Sequence, residues 1–168
     1  SVVASADILD LFSNRTGFGG DFVQQTIGAG GEVLGEIHGE FKLLKPHFLY
    51  WNMDSPDSQL VLAVDDWITH IDWDLEVITR REITPNQRGP FAWIMAPRSD
   101  VEKEFDILSK DDGLVLSPKN KKVGFKSLFA KRLAEEFWRF EAVDQTDQML
   151  RIEFTISKEI VPEVNDFD

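Results

Sequence analysis

The stretch Glu36–Met53, EIHGEFKLLKPHFLYWNM, decides how the chain reads. It divides at Lys45-Pro46-His47 into two strands. Side chains on a strand alternate between faces, so the first run places Ile37, Gly39, Phe41 and Leu43 on one side of a sheet, and the second places Leu49, Trp51 and Met53 on one side. The opposite rows differ. Glu36, His38, Glu40 and Lys42 read as solvated, whereas Phe48 and Tyr50 do not. The second strand is therefore apolar on nearly both sides, which suits a strand covered on both faces or one that lines a cavity. Pattern alone favours an ordinary sheet core over a concave apolar surface.

The flanking sequence continues the theme. Phe22–Ile27 reads as a strand and Gly28-Ala29-Gly30-Gly31 as a hairpin turn, because glycine accepts the positive φ such turns require. A strand and no Lys-Ser/Thr follows, so this is not a phosphate loop. Gln59–Val64, Trp67–Asp72 and Leu75–Arg81 extend an antiparallel meander, with turns at Asp54–Asp57, Asp65-Asp66 and Trp73-Asp74. Glu104–Leu108 and Leu114–Ser117 form a further hairpin. Residues 125–141 read as two strands turning near Ala134-Glu135-Glu136, and Leu150–Ile156 alternates cleanly. Residues 4–14 predict a short amphipathic helix stopped by Thr16–Gly20. The acidic tail from Ser157 reads as partly loose. Thr84–Asp100 breaks the pattern: Pro85, Gly89, Pro90 and Pro97 bracket the apolar piece Phe91–Ala96, a poor central strand that suits equally a plug or lid and a helix packed permanently on the sheet. The expectation is one mainly β domain over residues 1–168.

Composition narrows the function. A net charge of -12 repels phosphate backbones, which argues against nucleic acid. No apolar run approaches the roughly 20 residues of a membrane helix. There are 13 Phe and 5 Trp but 1 Tyr, so the rings supply apolar area with few hydrogen-bonding demands, as a large core or apolar pocket needs. Absence of cysteine removes disulfides, thiolate metal ligands and a Cys nucleophile. The sequence starts at Ser1 without a signal-peptide pattern, as a mature or trimmed form would.

No catalytic constellation emerges. There is no Gly-x-Ser-x-Gly elbow. His38, His47 and His70 lack metal-ligand spacing. Asp65-Asp66, Asp72/Asp74 and Asp111-Asp112 fall in predicted turns, where Asp bonds the local backbone. No calcium-loop pattern is present. The expectation is a protein that is not an enzyme, with no metal or cofactor.

Several segments, in order and closely spaced, carry a resemblance. They are Gly20-Asp21-Phe22-Val23-Gln24-Gln25, Gly39-Glu40-Phe41, Lys45–Trp51, Pro56–Gln59, Ile71–Glu76 with the Arg80 region, Gly89-Pro90-Phe91 with Ile94-Met95, Leu116–Lys119, and Val143-Asp144-Gln145 with the strand to Phe154. In these the chain resembles the periplasmic lipoprotein carrier family of Gram-negative bacteria, LolA. The resemblance implies a curved, incomplete antiparallel β-barrel with a few short helices as a lid over an apolar cavity. It implies a periplasmic, monomeric carrier that takes lipoprotein acyl chains from an inner-membrane ABC transporter and passes them to an outer-membrane receptor. The implied cavity residues are Leu49, Trp51, Leu60, Leu62, Phe91, Trp93, Ile94 and Met95. A carrier of another lipid, or a lipid- or lipoprotein-sensing module on the same fold, is the alternative.

Two departures from the family stand out. Lys45 occupies the position before the proline where the family has an Arg that latches the lid. Arg offers a rigid fork of five donors and Lys three on a flexible stem, so a looser latch is expected. The family's C-terminal loop and strand would be represented only by a remnant in Ser157–Asp168.

Overall fold

Alternation of apolar and polar side chains over long runs, interrupted by Gly- and Asp-rich turns, makes most of the described residues strand. The computed structural model describes residues 17–44, 48–82, 98–110, 113–120, 124–157 and 160–167. Its strands are β1 (Gly17–Ile27), β2 (Val33–Leu44), β3 (Phe48–Ser55), β4 (Gln59–Val64), β5 (Trp67–Asp72), β6 (Val77–Glu82), β7 (Phe105–Lys110), β8 (Gly113–Pro118), β9 (Ser127–Ala134), β10 (Phe137–Val143) and β11 (Met149–Ser157). A seven-residue helix α1 (Arg98–Glu104) precedes β7, and a 3-10 turn (Val164–Phe167) ends the described chain.

The strands form one sheet in the order β6-β5-β4-β3-β2-β1-β11-β10-β9-β8-β7. Two meanders are thus joined by the antiparallel β1–β11 ladder, in which Phe22 faces Phe154. Among the described residues the sheet does not close: β6 and β7 are its two edges. This is the expected single antiparallel sheet in an incomplete barrel.

Most strands lie where the alternation puts them, and the turn at Glu136, with φ 59°, separates β9 from β10 as expected. Three elements differ. The glycine-rich run expected to stop a helix is instead the start of β1. A Cβ at Gly20 would lie 1.8 Å from the Thr155 carbonyl oxygen, so glycine serves a close approach of strands there and not a turn. The helix α1 falls where the sequence shows only broken pattern, and it drives Val101 into the core. The tail, read as loose, packs: Phe167 is buried, and Asp166 pairs with Lys42 at 3.3 Å. The predicted N-terminal helix lies outside the described residues.

Cross-strand partners share a face, which defines two sides. The inner side collects Phe18, Phe22, Phe41, Leu43, Trp51, Leu114, Leu116, Leu128, Trp138, Phe140, Ile152, Phe154 and Ile156 into one buried cluster. The outer side of β10 and β11 carries the ion pairs Arg139–Glu153 (3.0 Å) and Arg151–Glu141 (2.8 Å), each between direct cross-strand neighbours.

Candidate functional site: the apolar inner face

The register fixes which side chains meet. Phe41 is opposite Trp51, Leu43 opposite Leu49 and Gly39 opposite Met53, so the two rows read from Glu36–Met53 are one surface. Trp51 continues across to Val61 on β4. Toward the other arm, Phe41 meets Gly20, and Phe22 meets Phe154, which meets Trp138.

The rings on this face are in contact. Phe22 stacks on Trp51 with centroids 3.8 Å apart and planes 21° apart. Phe41 meets Phe18 edge-on at 6.1 Å and Phe154 at 5.5 Å, and Phe154 meets Phe140 at 4.7 Å. Edge-to-face pairs such as those Phe41 and Phe154 make are a geometry that the ring quadrupole favours. The wall needs almost no polar satisfaction because its rings are mostly Phe.

Of the residues singled out in the sequence, Leu49 and Trp51 belong to this wall. Leu60 and Leu62 do not. They pair with Asn52 and Tyr50, which point away from the wall, so they sit on the outer side of the sheet. The physical reason is the phase of β4. Gln59-Leu60-Val61-Leu62-Ala63-Val64 is apolar at every position after the first, and only the register with β3 decides that Val61 and Ala63 face inward. Phe91, Trp93, Ile94, Met95 and Lys45 lie outside the described residues. Sequence reasoning passed over Phe22, Phe154, Trp138 and Phe140 as wall residues. Their period-2 spacing was visible, but which strands become neighbours was not.

The outer side of β3 is also covered. Phe48 packs on Phe167, with centroids 5.4 Å apart, and the 3-10 turn lies against β3 and β4. This explains why β3 is apolar on both faces: one row faces the wall and the other the tail.

The polar groups that could suggest chemistry have local partners. His38 hydrogen-bonds Glu36 at 2.8 Å, and His70 hydrogen-bonds Gln59 at 2.9 Å. The His38 and Gln25 hydrogen bonds hold the Glu36 carboxyl below the usual carboxylate range. Asp72 Oδ1 accepts the Asp74 and Leu75 N–H groups at 3.1 and 3.0 Å, and thereby shapes the β5–β6 turn. Asp144 Oδ1 accepts from the Thr146 hydroxyl and from the Thr146 and Gln148 N–H groups, which lowers its pKa. Among the described residues no group of His, Asp or Glu could hold a metal ion, and no helix is long and apolar enough to cross a membrane.

The fold is an open antiparallel sheet, an incomplete β-barrel, with an apolar inner wall. Residues 13–167 match the family described as "Outer membrane lipoprotein carrier protein LolA", and the chain belongs to that family, whose members are carriers and not enzymes. It is 33% identical to an outer-membrane lipoprotein carrier protein of Pseudomonas putida (strain GB-1), over 77% of this chain and 67% of that protein. A protein of the same description from Aliivibrio fischeri (strain MJ11) is 23% identical over 99% of this chain and 86% of its own length. Among solved structures, a LolA superfamily protein from Nitrosomonas europaea shares the fold, with a TM-score of 0.53 at 10% identity, covering 99% of this chain and 98% of that one.

Proposed function

We propose that this protein is a periplasmic carrier that shelters the acyl chains of lipoproteins against its inner face, receives them from an inner-membrane ABC transporter and delivers them to an outer-membrane receptor. The observation that carries the reading is the ring-to-ring wall running from Trp51 through Phe22, Phe41 and Phe154 to Phe140 on an unclosed sheet. Family membership and the similarity to outer-membrane lipoprotein carrier proteins support the cargo class.

Leu49 and Trp51 form part of the acyl-binding wall. Leu60 and Leu62, which share the outer side with Asn52 and Tyr50, are not included in the proposed wall. Phe91, Trp93, Ile94 and Met95 act as a lid that competes with cargo for the same apolar surface, and Lys45 serves as its latch. Such competition answers an energetic problem. Each buried CH₂ contributes about 0.8 kcal/mol, so full burial of long chains would be nearly irreversible. Exchange of lid contacts for cargo contacts lets the carrier work as a monomer without a nucleotide or other cofactor.

Co-expression with a lipoprotein bearing an export signal, followed by native mass spectrometry of the purified carrier, tests the reading. The expected result is a complex with the acylated protein, lost when the lipoprotein lacks its acyl chains. Retention of a free lipid alone would instead identify a carrier of another lipid, and retention of neither would overturn the carrier reading.

A further inference from the structure

The tail crosses the back of the sheet along a built track. From the end of β11 the chain reaches Ile160, whose Cγ2 would be 2.7 Å from a Cβ on Gly19, and then Pro162, whose Cδ would be 3.5 Å from one on Gly17. Both glycines lie on the outer side of β1, since Gly19 pairs with Lys42 and Gly17 with Leu44. The tail then forms its 3-10 turn over β3 and β4. There Phe167 packs on Phe48, and Asp166 accepts the Glu163 N–H at 2.8 Å and bonds Lys42 Nζ at 3.3 Å. Lys42 Nζ also lies 5.3 Å from the centre of the Tyr50 ring, directly across the β2–β3 ladder.

These outer contacts alternate with the wall. Lys42 sits between Phe41 and Leu43, and Phe48 immediately precedes Leu49. Among the described residues, the β3–β6 arm meets the body of the sheet through one ladder, β2–β3, and through the inner-side packing of β3 and β4. β6 is exposed throughout and contributes nothing to the buried cluster. The tail adds a further attachment, because it starts on β11, passes β1 and β2, and ends on β3 and β4.

We propose that Phe167 and Asp166 are positioning residues for the acyl-binding wall: the tail clamps the back of β2 and β3 and so fixes the β3–β6 arm that carries Leu49 and Trp51. The inference rests on the acyl-carrier reading and adds to it a set of residues that touch no cargo. Loss of the clamp frees the arm to swing about the β2–β3 ladder. The wall then opens and holds an acyl chain less long, while β8–β10 stay as they are.

The test compares wild type with Phe167→Ala and Asp166→Asn in hydrogen exchange and in the release rate of a long-chain fluorescent fatty acid. Expected for Phe167→Ala is faster exchange of the Leu49–Val61 amides with unchanged β8–β10 amides. Probe release should be about tenfold faster, the ratio that roughly 1.4 kcal/mol of lost contact gives. Asp166→Asn, which keeps the ring, should move both readouts in the same direction by less. Wild-type release kinetics and arm exchange in both variants would overturn the clamp and leave the carrier reading standing. A rise in exchange spread evenly over β8–β10 would also overturn it, by showing Phe167 to be a general core residue. Failure of the wild type to bind the probe would overturn the acyl reading and the clamp's role with it.

Discussion

Phe22 and Trp51 stack at 3.8 Å although β2 runs between their strands. Strands two apart are separated by roughly 9.5 Å, so both rings must lean over the intervening strand. They can because the residue on β2 opposite Phe22 is Gly39. The Phe22 ring occupies the space where a side chain would stand: a Cβ on Gly39 would be 2.9 Å from Phe22 Cε1. An aromatic ring covering a cross-strand glycine also shields that strand's backbone from water.

Gly39→Ala should therefore be far less tolerated than its neighbour Gly35→Ala. The new Cβ at position 39 would also fall 1.8 Å from the Asn52 carbonyl oxygen, whereas nothing lies within 4 Å at position 35. Overpacking of this kind costs roughly 1–3 kcal/mol or more. Urea unfolding should show a lowered midpoint for Gly39→Ala and little change for Gly35→Ala. Equal midpoints would mean that the ring does not need the gap.

Trp51→Ala should remove both the stack and a large buried surface. The expected loss is about 3–5 kcal/mol, in the range of large-to-small aromatic substitutions in cores. Trp51→Phe keeps a ring and should lose less than half of that. Equilibrium unfolding of the two variants measures the difference, and weakened acyl-probe binding in the folded Trp51→Phe protein would tie the same residue to function.

The sheet's sidedness was legible where alternation was clean. In Glu36–Leu44 every outward position is polar until Leu44, so the phase of the strand could be read directly from its residues. In β4 it could not: Leu60, Val61, Leu62, Ala63 and Val64 offer no polar residue to set the phase, and the register with β3 decided it. The glycines at 17, 19 and 20 were misread for a related reason. Their role depends on what approaches them, namely Leu43 and Pro162 at Gly17, Ile160 and Phe41 at Gly19, and Thr155 at Gly20, and that is a property of the folded neighbours. The tail gave the weakest signal. A single Phe167 among Asn165, Asp166 and Asp168 shows no period, and its partner Phe48 is far away in sequence.

The assignment of faces makes a direct prediction about cargo. A photoreactive residue placed at Leu49 should cross-link to a bound acyl chain, and one placed at Leu62 should not, because Leu62 shares the outer side with Tyr50. Cross-linking from position 62 at the yield seen from 49 would contradict the inner wall as the acyl site.

The proposed latch role of Lys45 predicts that Arg at this position would hold the lid more firmly. A lysine ammonium has three donors on a flexible stem and an arginine guanidinium five in a fixed fork. Lys45→Arg is expected to slow acyl-probe entry and reduce the exchange of amides in 83–97. If neither changes, the residue at this position does not set lid closure.

Attachment of the tail should depend on pH through Asp166. The Glu163 N–H it accepts, and then Lys42 beside it, hold its carboxyl below the usual range. The packed tail therefore favours the ionised form. By linkage, that contribution is fully present above the unfolded value of about 3.9 and is lost as pH falls through the lowered native value. The Glu163 amide resonance, which reports the hydrogen bond, should titrate with a midpoint below about 3.9 in the folded protein. In Asp166→Asn it should not titrate over that range. A midpoint at or above the unfolded value would show that the carboxylate gains nothing from the packed tail, and would leave Phe167 as the tail's main attachment.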